Sequence, residues 1–287
     1  MRLTVKKVGV SMMMLATFFW GYMGISSRYL NHISLRTVDI SFIRALSAAI
    51  MLTIYLFFRK RSAFRLPIKG ILFACLYGII CFAIGMSFYS LSVDNIPISV
   101  ATVLMFSNPI WATLFGKIFF GDPISKKKLV IMTLCLIGCM CIIDVFSARG
   151  AELNMIGVLA GILNGMTFSL QIVLPRFVEN KLSKDSLLFY GFWAATICLA
   201  FFVDIGDITS KVANSGRPYF YIAHLLAIGI LCTFVAITLY VNSTKYLGTS
   251  LPSMMSALEP VFASIIAYMV FSEVMKPIQF MGAVIII

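Results

Sequence analysis

The sequence predicts an all-α integral membrane protein, with ten transmembrane helices arranged as two inverted five-helix repeats. Three observations lead there. The 287 residues are 61% hydrophobic and 12% charged, whereas soluble domains carry about 25% charged residues to cover their surface. The apolar residues fall in runs of about 20, long enough for a helix to cross a hydrocarbon core and too continuous for barrel strands. The third observation is an internal repeat. Asn108-Pro109, Ala112, Phe120 and Asp122 reappear 151 residues later as Glu259-Pro260, Ala263, Phe271 and Glu273.

Ten runs can be placed in order, at about 8–27, 38–58, 69–91, 98–120, 127–146, 155–175, 186–204, 219–242, 250–271 and 277 to the end. Polar and Pro/Gly punctuation separates them, as in Asp94-Asn-Ile-Pro97, Gly121-Asp-Pro123 and Asn214-Ser-Gly-Arg-Pro218. The first run begins with Arg2, Lys6 and Lys7 and has no small-residue cleavage site after it, so it reads as a retained first helix. The repeat register places Gly138 opposite a position two residues past Ile287, so the tenth helix is expected to be incomplete.

Sixteen of the 23 lysines and arginines fall in one alternate set of gaps and helix ends, among them Arg59-Lys-Arg61 and Lys126-Lys-Lys128. The positive-inside rule then puts the N-terminus in the cytoplasm of a multi-pass plasma (inner) membrane protein. The net charge of +12 is thus accounted for by topology, and no nucleic-acid partner is expected. The seven cysteines lie inside apolar runs without CxxC spacing or an accompanying His/Asp cluster. They read as small packing residues, so neither a metal site nor a cofactor is expected.

The 151-residue offset continues upstream through Ile71/Ile222, Gly78/Gly229, Cys81/Cys232, Tyr89/Tyr240 and Ser92/Ser243. Nearer the N-terminus the offset changes, with Trp20-Gly21 facing Asn164-Gly165 at 144. The repeats divide the chain into residues 1–147 and 148–287. Five helices per repeat is an odd number, so the second copy enters the membrane from the opposite side. An inverted pair of this kind places a site at the midplane between the halves.

The sequence resembles the EamA-type carriers of the drug/metabolite transporter superfamily. The resemblance rests on Phe19-Trp20-Gly21, Arg44, Asn108-Pro109-Ile110, Phe120-Gly121-Asp122-Pro123, Leu258-Glu259-Pro260-Val261 and Phe271-Ser272-Glu273. It covers essentially the whole chain, with Asp122 standing where the family usually has Glu. It implies ten helices and transport of small organic solutes such as amino acids, other metabolites, amines or drugs. The working expectation is a secondary transporter acting by alternating access, as monomer or homodimer in the lipid bilayer. A membrane-embedded enzyme or a non-transporting scaffold are the alternative classes. With two histidines, His32 and His224, and no catalytic spacing, an enzyme is the weaker reading, and no Walker motif points to ATP-driven pumping.

Glu259 falls near mid-membrane, where a charged side chain costs about 2.5–3.5 kcal/mol. It is the candidate coupling residue, with H+ as the coupling ion, and a hydrogen bond between helices is the structural alternative. Pro109 and Pro260 are candidate hinges, because matched helix breaks point to a binding site in inverted-repeat transporters. Trp20, Tyr89, Asn108, Trp111, Asn164, Gln171, Tyr240 and Asn242 join Glu259 as candidate substrate-binding residues, being polar or aromatic inside apolar runs. Asp122 and Glu273 read better as helix-end residues that cap or pair with Lys/Arg. Gly157, Gly161 and Gly165 present a small-residue face for close helix contact within the chain.

Overall fold

A computed structural model describes residues 2–59, 61–145, 154–179, 181–272 and 275–287. The repeat boundary at 147/148 and the residue Glu273 lie outside this set. Among the described residues the chain is helical, with no strand. The helices are α1 Lys6–Asn31, α2 Thr37–Arg59, α3 Ile68–Asn95, α4 Ile98–Phe120, α5 Lys126–Ile142, α6 Met155–Val178, α7 Lys184–Ala200, α8 Ile205–Ala213, α9 Pro218–Leu247, α10 Ser250–Phe271 and α11 Pro277–Ile286. Seven of them (α1–α4, α6, α9 and α10) are long and apolar enough to cross a membrane. The remaining three apolar runs of the sequence are occupied by α5, α7 and α11.

One element departs from the sequence reading. The stretch after residue 204 was expected to be a gap. Instead the chain turns by 88° after α7 and forms α8. Asp204 makes the turn possible by accepting the Gly206 and Asp207 amides at 2.8 and 3.2 Å, which caps α8. The i, i+4 pair Ile208 and Val212 then buries against Leu30, Leu35, Ile40 and Leu225. Its nine residues fall short of the membrane-length apolar runs from which the helices are placed in the sequence.

Contacts between the two halves are reciprocal. Helix α1 packs on α9 and α10, while α6 packs on α3 and α4; α2 meets α7, and α5 meets α11. Small residues permit the closest approaches. A Cβ on Gly21 would lie 2.7 Å from the Ala263 amide, and one on Gly165 would lie 2.7 Å from the Leu104 carbonyl. Gly78 of α3 sits directly on the Gly191 backbone of α7. The Gly157, Gly161 and Gly165 face is likewise consumed inside the chain, against Asn95, Leu104 and Ser107.

Three irregularities recur at the 151-residue spacing. Both α3 and α9 widen into a single π-helical turn, at Ile79–Ile84 and Ile230–Val235. Both α4 and α10 break midway, between Ile98–Met105 and Asn108–Phe120 and between Ser250–Met255 and Glu259–Phe271. Both broken helices end on a left-handed residue, Gly121 at φ 68° and Ser272 at φ 56°. Such a turn satisfies terminal carbonyls. Glycine takes it freely, whereas serine adopts it at some strain.

Candidate functional site

Each broken helix restarts with a proline in its first turn. Pro109 and Pro260 have no N–H, so the carbonyls of Met105 and Ser256, four residues back, lose their usual donor. In α4 the deficit is repaired locally. Asn108 Nδ2 donates to the Met105 carbonyl at 3.4 Å and to Ser256 Oγ at 3.3 Å, and Ser256 Oγ in turn donates to the Ser253 carbonyl at 2.6 Å. The side chain of Asn108 therefore ties the break in α4 to the break in α10, fully buried. Glu259 holds the equivalent place in α10 but behaves differently. It is half-buried, in the first turn of the restarted helix, where the helix dipole favours an anion. Its carboxyl accepts no hydrogen bond from any described residue.

Glu259 faces a cavity of about 610 Å³, a size typical of small-molecule sites. The cavity is bounded by α1–α4, α6, α9 and α10, with Ile142 and Ile143 from the end of α5. Of the residues singled out in the sequence, Trp20, Tyr89, Asn164, Gln171, Glu259 and Pro260 line it. The structure does not bring Asn108, Pro109, Trp111, Tyr240 or Asn242 to its wall. Tyr240 is fully buried behind it, edge-on to Trp20 with ring centroids 5.1 Å apart. Trp111 donates through Nε1 to Ser107 Oγ at 3.1 Å, and Asn242 donates back to the Thr238 carbonyl of its own helix at 2.9 Å. A polar residue inside an apolar run can thus be satisfied by its own helix, and spacing alone does not separate that case from a cavity position.

The π-helical turns shape the polar wall. Beside the turn in α3, the carbonyls of Gly85 and Cys81 accept from Asn164 Nδ2 at 2.8 Å and Gln171 Nε2 at 3.4 Å. Backbone carbonyls can only accept, so both amide orientations are determined. Their oxygens, Asn164 Oδ1 and Gln171 Oε1, are left buried without a partner among the described residues. Phe168, between them on the same face of α6, meets Trp20 edge-on at 5.6 Å. Beside the turn in α9, Thr233 Oγ1 donates to the Ile228 carbonyl at 2.9 Å and accepts Arg44 Nε at 3.0 Å.

Arg44, which the sequence reading used only for the resemblance and for charge topology, is thereby fixed in the cavity wall. The charged side chains lining the cavity are Arg28, Arg44 and Glu259. Arg28 lies toward one end, its guanidinium 4.5 Å from the centroid of the Phe271 ring. Arg44 and Glu259 both line the cavity, and no ion pair joins them. The signal that could have marked Arg44 is its depth: it lies seven residues into α2, too far from the helix end to reach the interface easily.

The cavity extends to Asn31, Thr37, Val93, Ile98 and Ile143, at one end of the bundle. At the opposite end the helices close together. Arg176, at the end of α6, forms a two-pronged ion pair with Asp122, with Nη1 to Oδ2 at 2.6 Å and Nη2 to Oδ1 at 3.2 Å. The guanidinium also reaches Thr249 Oγ1 at 3.5 Å and covers the Phe120 ring at 4.0 Å. This latch joins the end of α4 to the second half. The Arg176 guanidinium holds the Asp122 carboxyl below the usual carboxylate range.

A model of the EamA-like transporter family matches residues 7–144 and again 155–287. An uncharacterized transporter of Archaeoglobus fulgidus is 23% identical over 69% of this chain and 68% of its own length. One from Clostridium kluyveri is 24% identical over 75% of this chain and 69% of its own. The uncharacterized transporter YdfC of Bacillus subtilis is 22% identical over 80% and 74%. A protein of known crystal structure aligns with 100% of this chain and 94% of its own at a TM-score of 0.77, with 13% identity, which is a likeness of fold.

Proposed function

We propose, for a chain that belongs to the EamA-like transporter family, that it is a secondary transporter moving a small organic solute, an amino acid, related metabolite or amine, by alternating access. The observation that carries this reading is the cavity around Glu259. It draws its wall from both halves, reaches one end of the bundle, and is shut at the other by the Asp122–Arg176 latch. One-sided access to a central pocket is what an alternating-access carrier needs in each of its two states.

The matched π turns, helix breaks and reciprocal helix contacts support the reading of two inverted five-helix repeats, with α5, α7 and α11 as further crossings. With the N-terminus cytoplasmic, the latch lies on the cytoplasmic side of the plasma membrane and the cavity opens outward. The cavity lies within one chain, which supports the monomer over the homodimer as the transporting unit. Glu259 is the coupling residue in this account, binding and releasing H+ as access alternates, with Pro109 and Pro260 at the points where α4 and α10 flex.

The test is flux in proteoliposomes. The purified protein is expected to accelerate uptake of at least one radiolabelled amino acid or amine, and to do so faster under an imposed pH gradient. Absence of flux for every solute, with and without the gradient, in protein that is folded by size exclusion would refute the reading.

A further inference from the structure

We propose that the cavity recognises a zwitterion, with Arg44 as the receptor for the substrate carboxylate and Glu259 facing its ammonium group. This rests on the transporter reading and deepens it, since it names the substrate class and assigns Arg44 a role in specificity.

The argument starts from Thr233. Its single hydroxyl hydrogen goes to the Ile228 carbonyl, so its oxygen can only accept from Arg44 Nε. The guanidinium is thus pinned by one edge. Its two terminal amino groups make no hydrogen bond or ion pair with any described residue, and they sit in the cavity wall. A planar fork with two free parallel donors matches a carboxylate.

Glu259 presents the complementary case, a carboxyl lining the same cavity with no donor among the described residues. Opposite charges in a poorly solvated interior gain by pairing directly, and a buried charge without a partner is costly. Here the two are kept apart on different helices, α2 and α10, the first anchored by Thr233 and the second by the helix break. A ligand carrying both charges would complete both partners at once.

The rest of the wall fits the same ligand. The aromatic faces of Trp20 and Phe168 on the same wall suit a cation as well. A simple amine would leave Arg44 unmatched, and a simple carboxylate would leave Glu259 unmatched.

The experiment is a binding titration on the detergent-purified full chain, read by intrinsic tryptophan fluorescence in a Trp111→Phe, Trp193→Phe background, so that Trp20 in the cavity wall is the reporter. Each of the twenty L-amino acids is screened. The best binder is then compared with its methyl ester, which lacks the carboxylate, and its N-acetyl derivative, which lacks the ammonium. Wild type is expected to prefer the free amino acid over either derivative by about tenfold or more, the scale of one unmatched charged hydrogen-bonding group. Arg44→Gln is expected to bind the amino acid and its ester within about twofold of each other, still discriminating against the N-acetyl compound; Arg44→Lys falls between. Thr233→Val, which keeps the charge but frees the fork, should weaken the free amino acid more than the ester.

Equal losses for acid and ester in Arg44→Gln would make Arg44 a structural tie and overturn the assignment. If Arg44→Gln does not fold, the wild-type comparison of acid with ester decides alone. A wild type that transports amines or esters without preferring the free acid keeps the transporter reading and removes the zwitterion. A wild type that moves no solute at all removes both.

Discussion

Asp122→Asn opens the latch without changing the size of the side chain. The wild-type pair is a two-pronged, charge-assisted contact with side chains about a quarter exposed, 25% for Arg176 and 27% for Asp122. Hydrogen bonds to charged groups contribute about 1.5–3 kcal/mol, and partial exposure places this one near the lower figure. A contact of about 1.5 kcal/mol made only in the latched state shifts the balance between the two access states about tenfold toward the other one. Ser253, fully buried in the first part of α10, which packs on the second part of α4, reports the change. A single cysteine there, in a background without the seven natural cysteines, should react about tenfold faster in Asp122→Asn with a thiol reagent supplied from the latch side. The pH dependence follows from the sign of the Asp122 shift. Its carboxyl is held below the ordinary range, so the latch is fully formed above about pH 4 and is lost only as pH falls further. Wild-type labelling should therefore be flat, after correction for thiol ionisation, from pH 8 to pH 5, with the variant fast throughout. Equal labelling rates in the two proteins would show that the ion pair does not hold this end shut.

Two further outcomes are expected. Glu259→Gln keeps the shape and hydrogen-bonding capacity of the side chain but cannot titrate. It should fold and still catalyse downhill exchange, at weaker substrate affinity because the ammonium partner is lost, while losing acceleration by a pH gradient; an unchanged flux-against-pH profile would remove Glu259 from coupling. Gly78→Ala drives a methyl group into the Gly191 carbonyl and forces α3 from α7; a loss of about 1–3 kcal/mol is expected, seen as a melting temperature lower by several degrees.

Much of this architecture was legible in the chain. Apolar runs of membrane length place ten helical segments, and the recurrence of Asn108-Pro109 as Glu259-Pro260 locates both helix breaks. Proline is readable because its missing N–H has one local consequence wherever it sits in a helix. The π turns at Ile79–Ile84 and Ile230–Val235 have no such signature, since any apolar residue can occupy them, and the amides and Arg44 are positioned beside those turns. Asn108 and Glu259 look equivalent in sequence. Only three-dimensional contacts show that Asn108 is spent on Ser256 and Met105, while Glu259 is free to face the cavity. Tyr240 is a candidate in sequence as an aromatic inside an apolar run, yet it supports Trp20 from behind. Arg44 was overlooked because an arginine in a basic chain is first counted toward topology. The short helix α8 is amphipathic but, at nine residues, far below membrane length, so a search for apolar spans passes over it.

The most direct test of the central claim, that solute passes through this cavity and that the cavity opens outward, uses Ser27 of α1, which lines it. Ser27→Cys is placed in the cysteine-free background, and intact cells are treated with a bulky, membrane-impermeant thiol reagent before flux is measured. The account predicts that the variant transports normally before treatment, that the cysteine is modified from outside, and that flux is then abolished, with the cysteine-free parent unaffected. Stoichiometric modification that leaves flux unchanged would contradict it.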